Sequence, residues 1–369
     1  MSIERHYFPG NNTPEGFFSY YSYILAQREA NKIICIKGGP GTGKSTFMKT
    51  IGEKLAEKNE DVDFLHCSAD ENSIDGIVLK SKSIAIIDGT SPHITDPVTP
   101  GAVDSIINFG EYWDERKIFD SKDEIINLNE ECSKWYRVAY NYLASAKCLY
   151  NNLEKLYDDA MEISEIYKLS ADIIGKEYKN LDISIKPGNM KKFFASAITS
   201  NGSVNYIKTL LQNMKKVYLI NSPVGYSNRS FMSIVAEGAI YRGFDIEAFY
   251  CPMCPADKIE HIIIPELQIA FTTVNKWHDI EPWEIFYVEE ETDQNIILID
   301  LNDYTNNYFM EKNSGIIGKS TAHMDLLIEQ GIKCLGRAKE NHDLVEKMYI
   351  RNMDFTKITQ LVDETIEKL

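Results

Sequence analysis

Nine consecutive residues, Gly38-Gly39-Pro40-Gly41-Thr42-Gly43-Lys44-Ser45-Thr46, fit the spacing G-x-x-x-x-G-K-[S/T]. The chemistry of that spacing is anion binding. Glycines let a backbone close round phosphate oxygens in dihedrals that a Cβ forbids. Amide N–H groups at a helix start, with the positive end of the helix dipole, hold the negative charge. In this pattern Lys44 reaches the β- and γ-phosphates of a nucleoside triphosphate, and the Ser45 hydroxyl ligates Mg²⁺. An acid at the end of a neighbouring apolar strand should complete the metal side. Ser83-Ile84-Ala85-Ile86-Ile87-Asp88 supplies it as Asp88, 44 residues past Lys44. The expected site is therefore Gly38 to Thr46 for the nucleotide, Lys44 and Asp88 for catalysis, and Ser45 and Asp88 for Mg²⁺.

The flanking residues must put this loop between a strand and a helix. Ile33-Ile34-Cys35-Ile36 is an apolar strand, and Phe47, Met48, Ile51 and Leu55 recur on one face of a following helix. The reading is strand 32–37, helix 44–58, strand 61–66 and strand 83–88. The same order recurs further along the chain. Phe8, Thr13 and Gly16 find partners in Phe194, Thr199 and Gly202, each 186 positions on. KIICIKGGP (32–40) parallels KVYLINSP (216–223), Asp75 meets Glu260, and His93 falls over His278. Two related halves follow, joined near residue 187, with strands near 216–221, 244–250, 268–273 and 295–300 in the second. Strands apolar throughout and alternating with helices imply mostly parallel sheets covered on both faces.

The second half has lost the loop chemistry. Asn221-Ser222-Pro223-Val224-Gly225-Tyr226-Ser227-Asn228-Arg229-Ser230 keeps one glycine, Asn228 stands where the lysine would be, and Thr273 aligns with Asp88. Arg229 is no substitute for the loop lysine. This half reads as a degenerate nucleotide fold kept for architecture or regulation.

Each α/β part leads into a helical one. From Glu111 to Ile174 there is no Gly or Pro. Leu128, Trp135, Tyr142, Leu149, Leu156 and Ile163 recur every seven residues; Cys132, Ala139, Ala146, Leu153, Ala160 and Tyr167 form a second seam. Such a stripe is of coiled-coil type and, unbroken, would span about 60–75 Å. It must be covered by the C-terminal helices near 317–369, by a partner, or by a second copy of the chain. The chain divides on this reading into 1–115, 116–186, 187–310 and 311–369.

Weaker constellations are read as structural. Gly318-Lys319-Ser320-Thr321 lacks a glycine five residues earlier, where Asn313 sits. Asn275-Lys276-Trp277-His278-Asp279 approaches a guanine-reading N-K-x-D with its aspartate one place late, so ATP is preferred to GTP. Cys251-Pro252-Met253-Cys254 has His261 and His278 downstream but no second well-spaced pair, which leaves buried thiols as the reading. His66, Asp70, Asp75, His93 and Asp96 fall just past strand ends, where an acceptor could lie.

Composition bounds the partners. The 369 residues are 44% hydrophobic and 25% charged, the balance of a folded protein rather than a disordered one. A net charge of −16 with no basic patch excludes nucleic acid as the main partner. No apolar run approaches the about 20 residues of a membrane span, and the start MSIERHYFPGNN is no secretory signal. Seven scattered cysteines, an odd number, suit reduced thiols. The expectation is a cytoplasmic protein.

The segments FPGNNTPEGF (8–17), KGGPGTGKST (37–46) and DGTSPH (88–93) together resemble a family of bacterial P-loop proteins with a duplicated ATPase-like half. The likeness extends over nearly the whole chain, including FFASAITSNG (193–202) and HDLVEKMY (342–349). In that family the second loop can also be P-loop-like, and here it is not. The resemblance implies an α/β fold of two tandem P-loop NTPase-like domains, the second degenerate, each followed by a long helical segment. It implies ATP and Mg²⁺ as ligands and hydrolysis or transfer of the γ-phosphate. Two alternatives stand beside it: a small-molecule or nucleotide kinase, and a non-catalytic ATP-gated module whose helical arm recruits a partner or a second copy. Arg116 and Arg229 are available as arginine fingers, and the sequence alone places neither beside the loop.

Overall fold

The computed structural model describes residues 2–91, 94–178, 182–226, 228–280 and 296–369. These form two compact units, one of residues 1–141, 197–204 and 330–369, the other of 142–196 and 205–329.

The first half of the chain opens with β1 (Glu4–Tyr7) and a hairpin, β2 (Gly10–Thr13) with β3 (Gly16–Ser19). There follow β4 (Lys32–Lys37), α1 (Lys44–Ala56), β5 (Val62–His66), β6 (Ile74–Leu79), β7 (Ile84–Asp88), β8 (Asp104–Asn108) and the short α2 (Glu115–Phe119). Then come α3 (Lys122–Ala160) and α4 (Ile163–Glu177). The second half repeats the plan with β9 (Met190–Phe193), the hairpin β10 (Ser196–Thr199) and β11 (Gly202–Asn205), and a short α5 (Ile207–Leu210). It continues through β12 (Lys216–Asn221), α6 (Arg229–Ile240), β13 (Ile246–Cys251), β14 (Cys254–Ile264), β15 (Ile269–Val274) and β16 (Ile296–Asp300). The chain closes with α7 (Asn307–Ile350) and α8 (Phe355–Lys368).

The strand order is β1-β5-β6-β7-β4-β8 in one sheet and β9-β13-β14-β15-β12-β16 in the other. Pairing senses match strand for strand. β5–β1, β7–β4 and β4–β8 are parallel, as are β13–β9, β15–β12 and β12–β16. β6 and β14 are antiparallel to both neighbours. The duplication read from weak sequence matches is therefore present in the topology. The strand assignments left out the antiparallel β6 and β14, the strands β1, β8 and β9, and both hairpins.

A shared irregularity runs through both antiparallel strands. Leu65 pairs with Gly76 and His66 with Ile74, so Asp75 is a surplus residue; Phe249 pairs with His261 and Tyr250 with Ile259, so Glu260 is surplus. Each is a β-bulge, which bends the strand and re-aims its side chains. The hairpins repeat as well. Thr13 Oγ1 donates to Gly16 O at 2.8 Å and Thr199 Oγ1 to Gly202 O at 3.0 Å, with both glycines at positive φ (103° and 123°).

Burial explains the elements that flank the loop. Ile33 to Ile36 are buried on both faces of β4, flanked by β7 and β8. Phe47, Met48, Ile51 and Leu55 of α1 share one core with Ile34, Phe64, Ile77 and Ile86 of the sheet and Ile358 and Val362 of α8. Each such side chain contributes roughly 1.5–3 kcal/mol on burial. The chain leaves α1 through Asn59 (φ 66°), with Asn59 N–H donating to Ala56 O and Glu60 N–H to Leu55 O, which closes the helix end.

The heptad stripe is realised with two corrections. α3 is 39 residues, about 58 Å long, and the chain breaks before α4, leaving Ile163 and Tyr167 beyond it 41% and 53% exposed. The buried line is the second seam, Cys132, Ala139, Ala146, Leu153 and Ala160, joined by Leu143, Tyr150 and Tyr157. Leu128, Trp135, Tyr142, Leu149 and Leu156 are half-buried. A straight helix of 3.6 residues per turn drifts away from a seven-residue repeat, and alanines admit closer neighbours than leucines. The C-terminal stretch is the 44-residue α7 followed by the 14-residue α8.

Candidate functional site

The glycine-rich segment forms the turn from the C-terminal end of β4 into α1, as the sequence required. Gly41 (φ 67°) and Gly43 (φ 90°) occupy the left-handed region, and Gly43 is the N-cap of α1. A side chain at either would be strained there. Thr42, 1% exposed, donates through Oγ1 to Gly39 O at 2.8 Å and pins the loop internally.

Lys44 begins the helix and is 9% exposed. Its Nζ donates to Gly38 O at 2.9 Å and Gly39 O at 2.8 Å, and lies 3.5 Å from Asp88 Oδ2. Asp88 ends β7 beside β4, opposite Ile36. Its Oδ1 accepts from Thr90 N–H at 2.8 Å, and the Thr90 hydroxyl donates to Gly38 O at 3.1 Å. Thr90, which the sequence reading did not single out, thus ties the acid-bearing strand to the loop. Ser45 Oγ accepts from Ile74 N–H at 3.0 Å, and Thr46 is exposed. Lys44, Asp88 and the loop carbonyls come together; Ser45 and Asp88 offer the hydroxyl and carboxylate oxygens that suit a hard cation such as Mg²⁺.

The C-terminal helices pack onto this loop. A Cβ at Gly39 would lie 2.8 Å from the Tyr349 ring, one at Gly41 2.6 Å from the Glu346 carbonyl oxygen, and one at Gly43 3.2 Å from Phe355. Tyr349 also meets the Trp113 ring, centroids 5.6 Å apart. Nothing in the local sequence of α7 announces this contact. The glycines serve the close approach of a helix as well as the dihedrals of a turn.

The other candidates divide. His66, 6% exposed, meets His6 Nδ1 at 2.8 Å and the Glu71 carbonyl oxygen at 2.9 Å, and burial pushes it down to about 4. Asp75, in the bulge, accepts from Tyr21 OH at 2.6 Å, and burial together with that carboxylate raises the phenol well above its ordinary range. Asp70 pairs with Lys339 at 3.1 Å and Asp96 with Lys37 at 2.8 Å. These side chains hold the fold's own groups. His93 lies outside the described residues. Arg116 is exposed on α2, and Arg229 is clamped by both carboxylate oxygens of Glu154 at 3.1 and 3.2 Å. Gly318 to Thr321 fall in the middle of α7, as coincidence would have it. His342 faces Glu346 at 3.6 Å on the same helix.

The second half replaces the loop's ion pair by a neutral one. Asn228, at the lysine position, donates through Nδ2 to Oγ1 of Thr273, at the acid position, at 2.7 Å. Both are buried, at 1% and 2% exposure. The place of Lys44 and Asp88 is thus taken by two uncharged groups joined by a hydrogen bond. Cys251 and Cys254 face each other at the end of the β13–β14 hairpin and are both buried, free thiols.

The first unit is thus a mixed α/β unit with a glycine-rich loop between a central strand and its helix, a buried lysine at the helix start, and an acid on the adjacent strand. Residues 16–85, less than a fifth of the chain, match the family described as Nephrocystin 3, N-terminal. That stretch takes in β3 through α1 to the opening of β7, with the loop inside it. No curated protein and no solved structure matches the chain. Among the described residues no helix is long and apolar enough to cross a membrane.

Proposed function

We propose that the first unit is a Mg²⁺-dependent, ATP-binding P-loop NTPase that cleaves or transfers the γ-phosphate. The observation that carries the reading is the position of the Lys44 ammonium. It rests on two loop carbonyls inside a turn built on left-handed glycines, 3.5 Å from the strand-end Asp88. A phosphate entering the loop exchanges those carbonyls for charged oxygens at little cost in lysine reorganisation. Ser45 and Asp88 would hold Mg²⁺, whose charge offsets that developing on the transferred group. The likeness to duplicated bacterial P-loop ATPases is of the same sense.

Calorimetry with ATP and Mg²⁺ on the full chain tests the reading, with phosphate release followed in parallel. Lys44→Ala removes a charge-assisted contact of about 3 kcal/mol, so affinity falls at least 100-fold. Affinity within threefold of wild type in that variant would refute the assignment.

A second reading is favoured by the contact of Gly39, Gly41 and Gly43 with Tyr349, Glu346 and Phe355. A ligand that reshapes the loop displaces α7 and α8, so nucleotide binding acts as a switch on the helical arm. Tight binding without phosphate release, with altered protease cleavage between 345 and 360, selects the switch over the NTPase.

A further inference from the structure

The second unit holds a cluster that the nucleotide chemistry does not use. Glu260 and His261 are neighbours on β14, and in a regular strand neighbouring side chains point to opposite faces. Here Glu260 is the bulged residue, and a bulge re-aims one of the two. His278 approaches from the turn after β15, where Asn275 and His278 form an isolated bridge. One ligand atom from each of Glu260, His261 and His278 lies within 4.8 Å of the others. The three residues are 3%, 4% and 1% exposed.

Three polar atoms in this cluster are buried without a hydrogen-bond partner among the described residues: Glu260 Oε2, His261 Nε2 and His278 Nδ1. Each such group costs about 1–3 kcal/mol, and more when it is charged. Three in one place call for an explanation. An ion pair does not supply it. The spacing is not that of a charge-assisted hydrogen bond. Glu260 Oε2 and His278 Nε2 are 3.4 Å apart, where such a bond is about 2.7–2.9 Å.

We propose that Glu260, His261 and His278 bind a divalent first-row transition-metal ion, zinc being the reference case. Two imidazoles and one carboxylate suit zinc or iron(II) far better than magnesium or calcium. His261 is already oriented for it. Its Nδ1 is 2.5 Å from Thr272 Oγ1 on β15, which turns Nε2 toward the cluster. Ser196 Oγ, 3.0 Å from His278 Nε2, occupies that ring nitrogen and leaves Nδ1 as the one without a partner. The first half cannot host the same site. Gly76 occupies the register position of His261, and a Cβ there would lie 2.9 Å from the Ile86 carbonyl oxygen. The site is a property of the diverged half and is independent of the loop at Lys44.

The test uses the full chain, freed of metal by chelator and then incubated with Zn²⁺ or Co²⁺. One equivalent of zinc per chain is expected by mass spectrometry of the metal, with a rise in Tm on zinc addition. Cobalt should give visible d–d bands and no thiolate-to-metal charge transfer. His261→Gln and Glu260→Gln, both close in size to the native residues, should weaken binding at least tenfold. Lys44→Ala and the double variant Cys251→Ala/Cys254→Ala should leave it unchanged. Wild-type protein that takes up no stoichiometric metal overturns the proposal. So do a thiolate charge-transfer band and loss of metal on removing the two cysteines. Because the wild-type spectrum reports the donor set directly, misfolding of a variant does not protect the idea.

Discussion

The contact between the glycine-rich loop and α7 makes a double-mutant cycle informative. Gly39→Ala places a methyl 2.8–3.1 Å from three carbons of the Tyr349 ring. The ring must shift, and overpacking of this kind costs about 1–3 kcal/mol. Tyr349→Ala removes the obstacle, so the cost of Gly39→Ala measured in that background should shrink to a few tenths of a kcal/mol, roughly the error of additivity for independent sites. Gly41→Ala is the contrasting case. Its methyl would meet the backbone of Glu346, carbonyl oxygen at 2.6 Å and Cα at 3.0 Å, and its φ of 67° adds strain of about 1–2 kcal/mol. Glu346→Ala leaves those backbone atoms in place, so no rescue follows. Urea unfolding of the six variants, without nucleotide, reads all of these terms at once. The reasoning fails if Gly39→Ala costs the same with and without the tyrosine ring, since the helix would then not be seated on the loop. It fails equally if Glu346→Ala rescues Gly41→Ala.

Three further outcomes are expected. Burial holds His66 at about 4 and lowers His6, His261 and His278 as well; the unfolded chain takes up those protons near pH 6.5. Stability is therefore undiminished above about pH 6.5 and is lost as pH falls toward 4, by about 3 kcal/mol for His66 alone. Urea curves at pH 7 and 4.5 should show this, with a shallower dependence in His66→Gln, and an equal dependence in that variant counts against it. Asp63 accepts from Arg5 at 3.0 and 3.1 Å and from Tyr7 OH at 3.0 Å, all buried. Asp63→Asn removes the buried carboxylate charge that faces the guanidinium and should cost about 3–5 kcal/mol; a loss below 1 kcal/mol in thermal unfolding would contradict the pairing. In the second half, Thr273→Val strips the partner from Asn228 and should cost about 1–3 kcal/mol, whereas Asn228→Leu with Thr273→Val together should recover much of it. A double variant no more stable than the single one would show that the pair is not coupled.

What the sequence made legible was local or periodic. The loop between Ile36 and Phe47 could be placed because glycine pattern, apolar strand and amphipathic helix agree across nine residues. Asp88 was found because a strand end is a position that runs of apolar residues mark. Duplication was visible because matches at nearly constant spacing accumulate over distance. The missing strands are those with no local mark of their own. β6 (IDGIVL) follows β5 after a short turn, and its antiparallel sense is set by pairing with β5 and β7 rather than by any residue in it. Contacts between residues 300 positions apart, such as Gly41 with Glu346, leave no trace in composition or period. The Glu260 cluster is an intermediate case. The correspondence of Asp75 with Glu260 and of His93 with His278 was readable, but adding His261 to the set requires the bulge, and a bulge is a property of paired strands.

That surplus residue in each antiparallel strand also bears on how the chain accepts changes in length. Side chains on one side of position 75 or 260 keep their facing relative to the other side only because one extra unit stands between them. Removing it would not shorten a surface connection; it would invert the parity of a whole ladder segment, exchanging Ile77 or Ile263 with the neighbour that now faces the opposite layer. Two halves that differ at the loop lysine and the strand-end acid still hold this offset in common, because parity admits no gradual alteration.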